Sequence, residues 1–240
     1  MKTEVIDRAT IHNCDCVEFM KSCKDNQFDL AIVDPPYGIG ENGDKNHTRG
    51  KLAIAKNYKS FAGGDIEPPD YKYFMELNRV SKNMIIWGAN HFIERLPFSI
   101  NSPCWVVWDK DNGLNDFADC ELAFTTFKSA VRRLKFKWAG MIQQDMKNKE
   151  VRIHPTQKPV ALYEWLLNKY AKAGDSILDT HMGSGSIAIA TNKHGFNLTA
   201  CELDNDYFES ACNRIKQSSN QTDMFTPPQE LKKPIQEVLL

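Results

Sequence analysis

Four residues, Asp34-Pro35-Pro36-Tyr37, carry the first chemistry legible in the chain. They follow a hydrophobic run at 28–34 and so fall at the carboxyl end of a strand, where open α/β sheets bind ligands. Two consecutive prolines fix the backbone and remove two N–H donors, which leaves carbonyls as rigid acceptors. The Asp34 carboxylate and the Pro35 carbonyl suit the two hydrogens of an exocyclic amino group, and Tyr37 offers a ring for stacking. An aromatic amine such as adenine N6 is a poor nucleophile because its lone pair is delocalised into the ring. Holding both N–H bonds out of the ring plane returns that pair to nitrogen, which can attack a nearby electrophile without a covalent enzyme intermediate. Asp34, Pro35, Pro36 and Tyr37 are therefore the candidate catalytic residues.

A second constellation, Asp179-Thr180-His181-Met182-Gly183-Ser184-Gly185-Ser186, also ends an apolar run and opens a helical pattern. Gly183 and Gly185 let the backbone turn tightly and approach a ligand closely. Glu202 ends the next strand, nineteen residues after Gly183, where a carboxylate accepts hydrogen bonds from ribose hydroxyls. The run from Gly183 to Ala188 also satisfies the GxGxxA dinucleotide fingerprint, so it specifies an adenosine-containing cofactor and no more. A third motif, His154-Pro155-Thr156-Gln157-Lys158-Pro159, leads into a proline-started helix. Thr156 and Lys158, near that helix N-terminus, suit a carboxylate such as the amino-acid end of a cofactor.

Elements of two kinds must hold these motifs. β-rich runs at 28–34, 84–87, 104–108, 121–127, 176–179 and 198–202 alternate with helical patterns at 70–80, 159–173, 186–194 and 205–216. The alternation predicts an α/β fold with a parallel sheet and helices on both faces, and the continuously apolar runs agree with strands covered on both sides. The runs at 104–108 and 121–127 have no long helix between them and predict one antiparallel pair at a sheet edge. Pro159 opens its helix and Gly174 closes it. Residues 41–65 read as a long mobile loop, and 217–240 as a flexible tail outside a single domain spanning 1–216.

Of 240 residues, 42% are hydrophobic and 25% are charged, which excludes disorder across the whole chain. No stretch reaches the roughly 18 apolar residues of a membrane span. The first residues also lack a signal peptide's apolar segment, so a cytoplasmic protein with no membrane partner is expected. Seven cysteines, at 14, 16, 23, 104, 120, 201 and 212, form no CxxC frame; they read as reduced and mostly buried, with no metal site.

DPPY, then HPTQKP, then an Asp-xxx-GSG turn and ACELD, in that order, closely resembles the β class of S-adenosylmethionine-dependent DNA amino-methyltransferases, the permuted arrangement. The resemblance covers about residues 11–215. It implies a doubly wound, mostly parallel seven-stranded methyltransferase sheet, Rossmann-like, with Asp34 to Tyr37 as the target-amine site. It implies a cofactor site for S-adenosylmethionine formed by Asp179, His181, Gly183, Ser184, Gly185, Ser186 and Glu202, with Asp34, Thr156 and Lys158 beside it. Asp15 falls where the family places an acidic residue near the cofactor's adenine. Thr180-His181 stands where the family usually carries Pro-Phe. Aspartate first and tyrosine last suggest adenine N6; serine is the commoner first residue for cytosine N4, the alternative target.

Other classes fit less of the chain. C5-cytosine methylation needs a thiolate nucleophile, and the one Pro-Cys, at Cys104, lacks the residues expected around it. A nicotinamide-dependent dehydrogenase, or a non-catalytic DNA-binding protein, leaves DPPY unexplained.

The net charge of −1 gives no global attraction to nucleic acid. Charge segregation supplies it: residues 128–152 hold eight basic and two acidic side chains, so the remainder sums to −7. There RRLKFKW, with Arg132, Arg133, Lys135, Lys137 and Trp138, suits phosphate contact with some stacking. The loop at 41–65 adds Lys45 and Arg49. Double-stranded DNA is the expected partner, with its target base flipped out, and so small a recognition surface predicts a short recognition sequence or a homodimer. In the tail, Gln221-Thr222-Asp223-Met224-Phe225 resembles the pentapeptide by which bacterial replication proteins dock on the sliding clamp.

Overall fold

Hydrophobic runs without alternation belong between two layers of helix. The computed structural model of the chain, which describes residues 1–40, 65–97, 101–113, 118–139 and 142–223, has them there. In chain order its elements are β1 (Lys2–Ile6), β2 (Ala9–Asn13), α1 (Cys16–Lys21), β3 (Phe28–Val33), α2 (Tyr71–Val80), β4 (Ser81–Trp87), β5 (Trp105–Asp109), β6 (Cys120–Thr125), β7 (Arg132–Lys135), β8 (Trp138–Ala139), β9 (Ile142–Gln143), α3 (Val160–Tyr170), β10 (Ser176–Asp179), α4 (Ser186–His194), β11 (Asn197–Glu202) and α5 (Asn205–Asp223).

One sheet has the order β1-β2-β11-β10-β3-β4-β6-β5-β7. The α/β, mostly parallel class expected from the motif order holds. The seven strands from β2 to β5 are the expected count, and the short β1 and β7 extend them to nine. The reversed strand β6 lies two places inside the edge strand β7, antiparallel to both β4 and β5, while β1 folds back on β2 as a hairpin. Along β3, Leu30 and Ile32 face a core shared with α3, α4 and α5, and Ala31 and Val33 face a second core shared with α1 and α2. Period-two alternation therefore buries both faces of one strand. Truncating a fully buried residue such as Leu166 to alanine is worth about 2–5 kcal/mol.

The chain leaves β3 through α2 to β4 on one side and leaves β10 through α4 to β11 on the other, although β3 and β10 are parallel neighbours. That reversal opens a crevice at their carboxyl ends. Asp34 directly follows one of these strands and Asp179 ends the other.

Several boundaries differ from expectation. The helix begun at Pro159 ends at Tyr170, because Ala171 turns to an extended conformation, and Gly174 sits in the following turn. α5 continues to Asp223, seven residues into the segment read as tail. The first three residues of the Gln221–Phe225 motif are thus helical; Met224, Phe225, Lys45 and Arg49 lie outside the described residues. Cys14 and Cys16 straddle the end of β2 and the start of α1 rather than sharing a strand face, and Cys120 is exposed. Among the described residues no helix is long and apolar enough to cross a membrane, and no three His, Cys, Asp or Glu side chains are grouped to hold a metal.

Candidate active site

Asp34 is oriented from both sides. Its Oδ1 accepts the Tyr37 hydroxyl at 2.8 Å and its Oδ2 accepts the Lys158 ammonium at 2.6 Å. Lys158 reaches it from the loop before α3, its side chain only 4% exposed, and lies over the rings of Tyr37 and Trp87, 5.5 Å from each centroid. Tyr37 in turn stacks on His91 at 5.1 Å. Gly88, with φ +68°, makes that packing possible, since a Cβ there would stand 2.1 Å from the tyrosine ring.

A further carboxylate enters from the reversed strand. Glu121 of β6 meets Lys158 at 3.0 Å and Lys110 at 2.5 Å, and accepts the Tyr37 hydroxyl at 3.3 Å. Burial works against the charged form of all three groups, but the outcomes differ. Burial raises the Asp34 carboxyl, and Lys158 and Tyr37 only partly offset this. At Glu121 the two lysines outweigh burial and hold the carboxyl at about 2. At Lys158 the two carboxylates outweigh burial and hold the ammonium above its ordinary value. Lys158, expected beside a cofactor carboxylate, shares its charge between Asp34 and Glu121 in this structure.

The neighbouring half of the crevice is built on β10 and β11. Asp179 accepts the His181 backbone N–H at 3.0 Å. Glu202 accepts from Gly183 N at 2.8 Å and Asp204 N at 2.9 Å, which fixes the glycine turn to the next strand. Burial and the nearby Asp34 and Glu202 push the Asp179 carboxyl up to about 8. His181, its Nδ1 bonded to Thr180 Oγ1 at 2.9 Å and its ring edge-on to Tyr73, is lowered by burial to about 4 and is a neutral aromatic at pH 7. Ser184 and Ser186 turn inward, hydroxyl to hydroxyl at 3.1 Å, and Arg214 of α5 bonds Ser184 O and Ser186 Oγ. Thr156 is exposed, with its hydroxyl 3.1 Å from His154 Nδ1, and the His154 ring packs on Gly183 and Tyr207. Asp15 caps α1, accepting from Val17 N and Glu18 N. Asp34, Asp179 and Glu202 thus gather three carboxylates around a crevice whose buried Lys158 is already paired, a setting that fits a positively charged ligand.

The basic segment divides. β7 runs parallel to β5, so Arg132 opens it at the amino end of the sheet, away from the crevice, while Lys135 closes it at the carboxyl end. Arg133 pairs with Asp109 at 3.7 Å, and Lys135 and Lys137 pair with Asp111 at 2.9 and 3.4 Å. Trp138 does not offer a stacking face, contrary to expectation: it is 7% exposed, packs in the core, donates to Gln157 O and carries Arg152 over its ring.

With this geometry in view, residues 126–213 match the family model described as DNA methylase of the N6/N4 kind. That stretch, a little over a third of the chain, is similar to DNA methylases of the N6/N4 type. The matched stretch holds Lys158, Asp179, Gly183 and Glu202; Asp34 precedes it. M.HinfI, a Type II methyltransferase of Haemophilus influenzae, is 24% identical over 271 residues, spanning 94% of this chain and 73% of that protein. The solved M1.HpyAVI–SAM complex is similar with a TM-score of 0.51 at 20% identity, over 86% of this chain and 98% of that one. PvuII DNA methyltransferase, described as cytosine-N4-specific, is similar with a TM-score of 0.54 at 10% identity, over 89% and 92%. At these identities the structural likeness is one of fold.

Glu121, Lys110 and Arg214 were not among the residues the sequence singled out. The one available signal for Glu121 was a carboxylate heading an otherwise apolar run, ELAFTTF, where charge is costly unless paired.

Proposed function

We propose that the protein transfers the methyl group of S-adenosylmethionine to adenine N6 of a base flipped out of double-stranded DNA. The observation that carries this reading is the Asp34 carboxylate at the end of β3, held by Tyr37 and Lys158 and facing the glycine turn that follows β10. A carboxylate offers about four lone-pair sites. Tyr37 and Lys158 use one on each oxygen, which leaves room for an amine hydrogen.

S-adenosylmethionine supplies a methyl group on a cationic sulfur, which keeps the bonding pair when the methyl leaves. Asp34 and the Pro35 carbonyl hold the two amine hydrogens, so the nitrogen lone pair points at the methyl carbon and forms the new C–N bond. The nitrogen is then positively charged and loses one proton. Asp34, whose carboxyl burial has raised, takes that proton and passes it to solvent. Glu202 and the Gly183–Gly185 turn would hold the adenosine part, and the three carboxylates favour the cation. Thr156, Asp15 and the neutral His181 complete the wall. Lys135 and Lys137, with Lys45 and Arg49, would contact phosphates beside the crevice.

Replacing Asp34 with alanine should abolish transfer while S-adenosylmethionine binding stays within about tenfold, since most of the residues that would hold the ligand remain. Transfer at the wild-type rate would overturn the site. Tritium from labelled cofactor should appear in N6-methyladenine; label in N4-methylcytosine would replace adenine with the cytosine alternative.

A further inference from the structure

Glu121 and Lys110 have no part in the motifs that carry the methyl-transfer reading, yet they complete its charge network. Glu121 comes from β6, the inner strand that runs against its neighbours, and its side chain is 20% exposed. Each of its oxygens is bonded: Oε1 to Lys110, and Oε2 to Lys158 and the Tyr37 hydroxyl. Lys158 and Tyr37 are the two groups that bond Asp34. Three side chains, Lys110, Lys158 and Tyr37, therefore close on the Glu121 carboxylate, and Glu121 is the point where both of Asp34's partners meet.

We propose that Glu121 is a positioning residue of the methylase: it holds Lys158 and Tyr37 on Asp34, so that Asp34 meets the target amine in one orientation and one charge state, with Lys110 as its counter-charge. The inference rests on the amine-methylation reading given above.

Lys158 is nearly fully buried on a flexible stem and lies between two carboxylates, so losing either would let the ammonium shift toward the other. A second anion beside Asp34 also keeps the shared ammonium from neutralising Asp34 alone, which preserves the basicity Asp34 needs to take a proton. Paired carboxylates whose environments push them apart divide the work, one exchanging a proton and one staying charged. Here Asp34 is the former and Glu121 the latter. The titratable groups facing Asp34 are Lys158, Glu121, Tyr37, Asp179 and Tyr163; those facing Glu121 are Lys158, Lys110, Asp34, Tyr37 and Tyr163.

The test uses the full chain with saturating S-adenosylmethionine and a DNA substrate, comparing Glu121→Gln, Glu121→Asp and Lys110→Met with wild type. Glu121→Gln should lower the single-turnover rate about 10²-fold, the size of a misplaced reacting group, with cofactor affinity little changed. Its acidic limb in the pH–rate profile should move to lower pH, because Asp34 loses a like-charged neighbour. Lys110→Met should move the same limb the opposite way, because the Glu121 charge is then less neutralised. Glu121→Asp should recover most of the rate. A Glu121→Gln rate and profile matching wild type would overturn the proposal, as would a lower rate with an unmoved limb and no recovery in Glu121→Asp. If Glu121→Gln does not fold, the Lys110→Met limb decides: an upward shift supports the proposal and an unmoved limb ends it. Absence of transfer in the wild-type chain would instead strike the methylation reading itself.

Discussion

Asp34 and Asp179 stand at the ends of neighbouring parallel strands, in the same crevice, with opposite electrostatic settings. Asp34 is ion-paired with a lysine that a second carboxylate also grips. Asp179 is more deeply buried, accepts one backbone N–H, and has no ion pair among the described residues. Its carboxyl is pushed up to about 8 by burial and by two other carboxylates. The crevice is therefore two sites with different electrical tasks. The β3 side carries its own counter-charges and suits a neutral amine; the β10 side holds a proton that a cationic ligand would replace.

The sharpest way to break the contrast is to remove the cation from the β3 side. Lys158→Met strands Asp34 and Glu121 together, so methyl transfer should fall by about 10³-fold and stability by about 3–5 kcal/mol. Single-turnover rates and denaturant melts check both, and a variant that keeps its transfer rate would show that Asp34 needs no partner. A gentler disturbance acts through Tyr37. Gly88→Ala places a methyl 2.1 Å from the Tyr37 ring at a left-handed backbone position, so the ring must leave His91. Transfer should drop about 10²-fold and stability by about 1–3 kcal/mol, again with cofactor affinity nearly unchanged.

The β10 side should respond in the complementary way. At pH 7 Asp179, held near 8, is mostly protonated before ligand binds. S-adenosylmethionine is cationic and favours the ionised carboxylate, so binding should release up to one proton, and affinity should rise with pH until the group is ionised in the free protein. Titration calorimetry in two buffers of different ionisation enthalpy measures that proton. Asp179→Asn should remove both the release and the pH dependence; a wild-type enthalpy that ignores the buffer would refute the stored proton.

What could be read from the chain alone follows from where the information sits. Asp34 to Tyr37, Gly183 to Ser186 and Glu202 are each set by a strand end and its immediate turn, so spacing revealed them. The fold class followed because continuous apolar runs such as 28–33 demand two covered faces. Glu121 and Lys110 act across the sheet on antiparallel β6 and just beyond β5, and no local pattern pairs them with Lys158. β1, β2, β7, β8 and β9 were missed because short strands of mixed polarity carry little periodicity. Trp138 was misread because aromatic residues among lysines look alike whether they face solvent or the core.

The charge sum along the chain misled for a related reason, and it supplies the smallest predicted effect. Residues 128–152 carry a surplus of six positive charges, but Asp109 and Asp111 from β5 and the turn after it lie against Arg133, Lys135 and Lys137. In space that ridge is three cations against two anions. These pairs are partly exposed and each is worth little, so phosphate can compete for the lysines, yet each phosphate contact must displace an aspartate. Removing two phosphate contacts should reduce the salt slope of DNA binding by about 2. Lys135→Ala with Lys137→Ala should therefore lower the slope by less than that full amount, with the transfer rate at saturating DNA unchanged. Arg132, exposed at the amino end of β7, should leave the slope untouched when replaced by alanine. Binding measured from low to moderate salt separates the two variants, and equal slopes for both would place DNA somewhere other than the carboxyl edge of the sheet.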